Sequence, residues 1–144
     1  LMIVVAVVGI LAIVAYPAYQ QQVRESRRSE ALIALTALGN DLDKFRGDCG
    51  NYPPDSAPGI ITITGARNTC TGLGRTSVLS TNGNYSLTLR TAAPPAPVGG
   101  YLITATAQGS QAGDNDCRTL TLTSTGVTGA TAGPGGNTTR CWRR

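Results

Sequence analysis

Hydrophobic residues fill the start of the chain without interruption, from Leu1 to Ala15. Tyr16 and Pro17 follow, and the sequence then becomes polar and basic while keeping strong helix formers. Apolar residues recur there at offsets of four and three, the spacing of one helical face: Ala31, Leu35, Leu38, Leu42 and Phe45. The pattern predicts a single helix from about Leu1 to about Arg46, roughly 70 Å long. Its first half is apolar all round and its second half is amphipathic.

Two residues in the apolar half weaken a helix, Gly9 and Pro17. Glycine costs backbone entropy, and proline cannot donate to the carbonyl of Ile13. The residues between them include several that are β-branched and therefore poorer helix formers. Two interpretations stay open: an ordinary kinked helix, or a stretch that is helical in one environment and extended in another. A small domain has no room to bury this half, so lipid or further copies of the chain must cover it.

The rest of the chain predicts an α+β fold, in which the second half of the helix packs on a small antiparallel sheet. Period-two alternation with threonine on one face is typical of half-buried strands. The candidate strands are GIITIT (59–64), NYSLTLR (84–90), YLITATA (101–107), RTLTLTST (118–125) and a last one in TTRCW (138–142). Residues 126–137 are nearly all small and predict a loop that would be disordered alone.

The four cysteines, Cys49, Cys70, Cys117 and Cys141, favour disulfides over metal binding. None belongs to a C-x-x-C pair and the chain has no histidine, whereas zinc sites usually need one or the other. Disulfides imply an oxidising compartment. Of the three possible pairings we favour the sequential one, in which each bridge closes a loop worth roughly 3–4 kcal/mol in the chain-entropy model.

Composition and motifs offer little for catalysis. Without histidine there is no imidazole acid or base, and neither a nucleophile elbow nor a phosphate loop is present. Asp114, Asn115 and Asp116 carry oxygens that suit calcium, although such residues are common in simple turns. We therefore expect no enzyme, no cofactor and no metal. The net charge of +4 comes almost entirely from arginine and is explained most simply by solubility, with phosphate partners as the alternative.

The opening LMIVVAVVGILAIVAYPAYQ, followed by VRESRRSEALIALTALGNDLDKF, resembles the mature N-terminus of a type IV pilin. The ending DCRTLTLTSTGVTGA…CW is similar to the closing strand, loop and terminal cysteine of Gram-negative type IVa pilins. In that family a glutamate precedes the segment that starts here at Leu1, so we expect this sequence to begin a few residues late.

The resemblance implies two parts, a hydrophobic helix over residues 1–23 and a pilin head over 24–144. The helix would span the inner membrane before assembly and then pack in an extracellular filament. The assembly residues would be Leu1, Met2, Ile3, Val4, Val5, Val7, Val8, Gly9, Ile10, Leu11, Ile13, Val14 and Pro17. Implied partners are other copies, other pilins, the inner-membrane assembly machinery and the lipid bilayer. The implied function is a structural pilus subunit that supports adhesion, twitching motility and DNA uptake.

The arginines raise an alternative to a purely structural subunit. Arg24, Arg27 and Arg28 follow the apolar run, where we expect them at the membrane boundary. A second group lies around the last two cysteines and could bind DNA through phosphate contact and stacking: Arg118, Arg140, Trp142, Arg143 and Arg144. A solvated basic surface is the simpler interpretation of this group. One alternative is therefore a DNA-binding minor pilin, and a second is a pseudopilin of a type II secretion system, because such proteins share the opening segment.

Overall fold

The computed structural model describes residues 2–53, 67–75, 78–91, 99–131 and 138–143. One helix, α1, runs from Met2 to Cys49. It continues through Gly9 and Pro17 without a break in helical structure, and both interpretations left open by the sequence include this helical form. The helix ends three residues later than predicted. Gly50 closes it with a φ of +80°, and its amide donates to the carbonyl of Arg46 at 2.8 Å, as glycine commonly does after a helix.

Four antiparallel strands form one sheet in chain order. Strand β1 is Tyr85–Arg90, β2 is Leu102–Ala107, β3 is Thr119–Thr123 and β4 is Thr128–Thr131. Leu87 lies opposite Ala105, which lies opposite Leu120. The strands predicted over 84–90, 101–107 and 118–125 are therefore confirmed, and the one predicted over 59–64 lies outside the described residues.

The predicted stripe of α1 covers one face of this sheet. Its five residues are each at most 1% exposed, and they share a core with alternate residues of the strands, among them Leu87, Leu89 and Ile103. Helix and sheet approach closely at Gly39, where a Cβ atom would lie 3.1 Å from the hydroxyl oxygen of Tyr101. The α+β arrangement predicted from the sequence is confirmed.

Two predictions about the end of the chain are wrong. Residues 138–142 do not form a strand, because Thr138–Cys141 is a short helix, α2. Within the small-residue segment, β4 pairs with β3 instead of remaining a loop. A turn at Gly126, with φ of +79°, folds the chain back so that the amide of Thr123 donates to the carbonyl of Val127 at 3.0 Å. The small side chains of β4 give no strand pattern in the sequence. Main-chain hydrogen bonds hold this strand at the edge of the sheet.

Candidate nucleic-acid interface

The disulfides join the cysteines in sequential pairs, Cys49 with Cys70 and Cys117 with Cys141. The second bridge brings the chain before β3 next to α2, with Cα atoms 5.6 Å apart. Since consecutive Cα atoms are about 3.8 Å apart, the Cα atoms of Arg118 and Arg140 lie within about 13 Å of each other. The bridge therefore gathers the basic residues at the end of the chain into one region.

Three arginines of that region reach the surface. Arg118 is exposed, and its Nε and Nη2 atoms donate to the carbonyl of Ala112 at 3.2 and 3.1 Å. The Nη1 atom of Arg140 lies 3.5 Å from a carboxylate oxygen of Asp116, and both side chains are about half exposed. Arg143 is exposed, and Arg144 lies outside the described residues. We call Arg118, Arg140 and Arg143 the C-terminal arginines. They give this surface more positive than negative charge.

Trp142 has a different environment. Its ring is only partly exposed and packs against the hydrophobic core. Its indole N–H donates to the carbonyl of Gly129 at 2.8 Å. These contacts attach α2 to β4, so the indole is largely used in holding the C-terminal arginines in place.

Arg140 connects this region to α1. One cavity of about 470 Å³ places Arg140 and Arg143 opposite Gln22, Glu25 and Ser29 of the helix. A neighbouring cavity of about 400 Å³ is lined by Arg140 together with Arg24, Asp114 and Asp116. The C-terminal helix and residues 20–29 of α1 therefore form one continuous surface.

Arg28, which was predicted to lie at the membrane boundary, is buried in the head, so its guanidinium does not face a lipid surface. Its Nε and Nη2 atoms each donate to an oxygen of Asp114 at 2.7 Å, and only 7% of the residue is exposed. The hydrogen bond with Asp114 raises the pKa of Arg28, although burial opposes it. Sequence reasoning missed this pair although a signal was present, because Arg28 lies three residues before Ala31 on the same helical stripe. A charge on a buried stripe requires a buried partner.

Gln111 extends the buried pair into a network. Its amide nitrogen donates to Asp114 at 3.1 Å and to the hydroxyl of Tyr85 at 3.0 Å. Burial, chiefly, raises the pKa of Tyr85. Asp114 is therefore occupied by protein donors and is not available to a calcium ion. Across the described ranges, no three His, Cys, Asp or Glu side chains cluster as a metal site would require.

Glu30 forms a second polar connection between α1 and the sheet region. Its carboxylate accepts from the amide N–H of Asn82 at 2.7 Å and from Asn84 Nδ2 at 2.7 Å. Burial opposes the ionised form, but these bonds and others from Ser80 and the Asn82 side chain outweigh it, and they lower the pKa of Glu30. The carboxylate thus stabilises the fold in its charged form.

The first part of α1 is exposed along its length. Met2, Ile3 and Ile13 are between 76% and 89% exposed. The helix is long and apolar enough to cross a membrane, and its most apolar window is entirely exposed. The remaining predicted assembly residues from Val4 to Pro17 are exposed as well, and Leu1 lies outside the described residues. The division of the chain at residue 23 stays a prediction.

A long helix with one bare apolar half and one half packed on an antiparallel sheet is a pilin-like fold. Residues 17–121 match a family model described as type IV minor pilin ComP, DNA uptake sequence receptor. The match covers well over half of the chain, and the chain belongs to this family. No curated protein matches it. The matched segment includes Arg118 and ends before Arg140, Trp142 and Arg143, so the nucleic-acid role of those three residues stays a prediction.

Proposed function

We propose that this chain is a minor pilin that binds DNA, has no enzymatic activity and joins other pilins in a surface filament. The family match carries the proposal, because that family is described as a DNA uptake sequence receptor. It supports the minor-pilin alternative raised from the sequence better than a general structural subunit. The pseudopilin alternative has no such support.

The C-terminal arginines are the surface we assign to DNA. Arginine neutralises backbone phosphates, and such contacts supply most of the sequence-independent affinity of a DNA-binding protein. Arg140 and Arg143 extend from a helix that Cys141 and Trp142 attach to the sheet. A guanidinium on a fixed backbone loses less conformational freedom on binding than one on a flexible tail. We therefore assign Trp142 the role of positioning the arginines.

The test is a variant that removes charge from this surface alone. Arg140→Gln/Arg143→Gln is compared with Arg46→Gln/Arg90→Gln, which removes the same charge from exposed residues. Arg46 is far from the tested surface. It lies about 27 Å along α1 from Arg28, at 1.5 Å per residue, and Arg28 lines the same cavity as Arg140 and Arg143. Duplex DNA binding to the full chain in mild detergent is measured by fluorescence anisotropy between 50 and 200 mM salt.

We expect the first variant to bind DNA at least tenfold more weakly at low salt. The slope of log affinity against log salt should fall by about two, since each phosphate contact contributes roughly one. The control pair should keep the wild-type slope. Equal losses in the two variants would contradict the assignment and leave a diffuse charge effect as the explanation.

A second function, assembly into a fibre, is favoured by the bare half of α1. The apolar residues from Met2 to Tyr19 are exposed. Because such a surface is unfavourable in water, lipid or neighbouring subunits must cover it. We propose that α1 holds the chain in the inner membrane and then packs among other pilin helices; adhesion and twitching motility would depend on that fibre. Mass spectrometry of sheared surface filaments should detect the chain. Intact filaments without it, together with a secretion defect on deletion, would support the pseudopilin instead.

A further inference from the structure

A concave site lies where the apolar half of α1 meets the head. Tyr16, Tyr19, Arg24 and Arg27 line a cavity of about 290 Å³ together with Ser110, which belongs to the turn Gly109–Gly113 before β3. The helical residues share one face, because offsets of three, eight and eleven from Tyr16 all fall within one side of a helix. The cavity therefore has two tyrosines at one end and two arginines at the other.

The guanidinium of Arg27 and the backbone of Arg24 are both held by the head. Arg27 donates through Nη1 to the hydroxyl oxygen of Ser110 at 2.7 Å. The backbone carbonyl of Arg24 accepts from the buried amide of Gln111 at 3.4 Å, which connects this turn of α1 to the head. The described residues that line this cavity include no acidic side chain. The cavities that share an arginine with it do contain acidic residues: Arg24 also lines the one with Asp114 and Asp116, and Arg27 also lines one with Glu30. The charge of this site suits an anion.

The height of the site along α1 indicates which anion. Tyr16 and Tyr19 come directly after the uncharged apolar run, where aromatic residues commonly lie at a membrane interface. Arg24 lies about 7.5 Å beyond Tyr19 along the helix axis, and Arg27 about 12 Å beyond it. The headgroup layer on each side of a bilayer is about 5–8 Å thick. With α1 in a membrane, the arginines would therefore stand at or just above the phosphates and the tyrosine rings beside the upper acyl chains.

We propose that this cavity binds the phosphate of a phospholipid in the leaflet that faces the head, with a preference for anionic headgroups. The proposal rests on the membrane-inserted state proposed above. The guanidinium groups would contact the phosphate and the tyrosine rings would cover the glycerol and first acyl carbons. The lipid would thereby fix the head against the membrane surface before assembly. DNA is a poorer fit, because the site opens beside exposed apolar residues that DNA cannot cover.

The test uses the full chain in mild detergent and in vesicles. Insertion is measured first by flotation with phosphatidylcholine vesicles. Binding of phosphatidylglycerol and of phosphatidylcholine is then measured by native mass spectrometry for the wild type, Arg24→Gln/Arg27→Gln and the matched pair Arg46→Gln/Arg90→Gln. Ser110→Ala keeps every charge and only releases Arg27. Inorganic phosphate and duplex DNA are added as competitors.

We expect the wild type to bind phosphatidylglycerol at least tenfold more tightly than phosphatidylcholine. A guanidinium near a lipid surface contributes about fivefold in affinity, so the double variant should lose tenfold or more, Ser110→Ala about threefold and the matched pair less than twofold. Normal insertion without this selectivity overturns the lipid site alone, and failure to insert overturns the membrane state as well. Competition by millimolar phosphate or by DNA would overturn the lipid assignment in favour of a simple anion or a DNA phosphate.

Discussion

Breaking the buried ion pair between Arg28 and Asp114 should destabilise the head more than any surface change. Asp114→Ala removes two charge-assisted hydrogen bonds of 2.7 Å between residues 86 apart in sequence. The guanidinium of Arg28 then remains in a site where the side chain is only 8% exposed. A charge that has lost its hydrogen-bonded partner in such a site is costly, because little water reaches it.

The magnitude follows from the contacts. Each hydrogen bond to a charged group contributes about 1.5–3 kcal/mol net, and removing one member of a buried pair typically costs about 3–5 kcal/mol. Asp116 limits the loss, because its carboxylate lies 4.0 Å from Nη2 of Arg28. We therefore expect about 3 kcal/mol, and with about 4 °C per kcal/mol for a chain of this size, the melting temperature should fall by about 12 °C.

The assay is thermal unfolding of the full chain in mild detergent, followed by near-ultraviolet circular dichroism. Asp116→Ala is the matched control: its side chain is 51% exposed, and we expect a loss below about 1 kcal/mol, as for surface pairs. The double variant Arg28→Met/Asp114→Leu should recover most of the stability, because apolar residues of similar size often replace a buried pair at little cost. A loss below 1 kcal/mol in Asp114→Ala would refute the reasoning.

Three further predictions concern stability. The pKa of Glu30 is lowered in the folded state, so its carboxylate stabilises the fold above the ordinary carboxyl pKa, and this stabilisation is lost on acidification. The free energy of unfolding of Glu30→Gln should therefore fall less steeply than that of the wild type between about pH 5 and 3. Replacing both Cys117 and Cys141 by serine should cost about 3.5 kcal/mol in denaturant unfolding, the entropy of the closed loop. Gly39→Val should cost about 1–3 kcal/mol of stability by overpacking against Tyr101. At Gly47 an added Cβ would meet nothing within 4 Å, so Gly47→Ala should stabilise the fold by up to about 1 kcal/mol.

Each of these has a contrary outcome. An unchanged acid slope in Glu30→Gln would assign the acid sensitivity to other carboxylates. Full stability of the serine variant would show that the C-terminal segment folds without its bridge. Equal effects at Gly39 and Gly47 would mean that helix propensity, and not the close approach to the sheet, decides the result at Gly39.

Features set by local pattern could be predicted from the sequence. The apolar stripe from Ala31 to Phe45 placed the packed half of α1, and alternation placed β1, β2 and β3 within one or two residues. The bare half of the helix also followed from composition, because a small domain cannot bury a helix that is apolar all round. Periodicity reports which face of an element is apolar, and that face is decided by neighbours in sequence.

The tertiary structure alone decided which distant groups meet. Nothing in the segment 128–131 indicates a strand, yet β3 supplies its hydrogen-bond partners. Trp142 has a ring that could stack on a base, but that ring packs against the core and its N–H donates to the carbonyl of Gly129. Asp114 looked like a turn residue, and it proved to be the partner of Arg28. Hydrogen bonds and ion pairs between residues far apart in the chain depend on three-dimensional proximity, which no local spacing encodes. The sequence by itself therefore determined α1 and the strands β1 to β3, whereas only the tertiary structure showed β4, α2 and the contacts of the site.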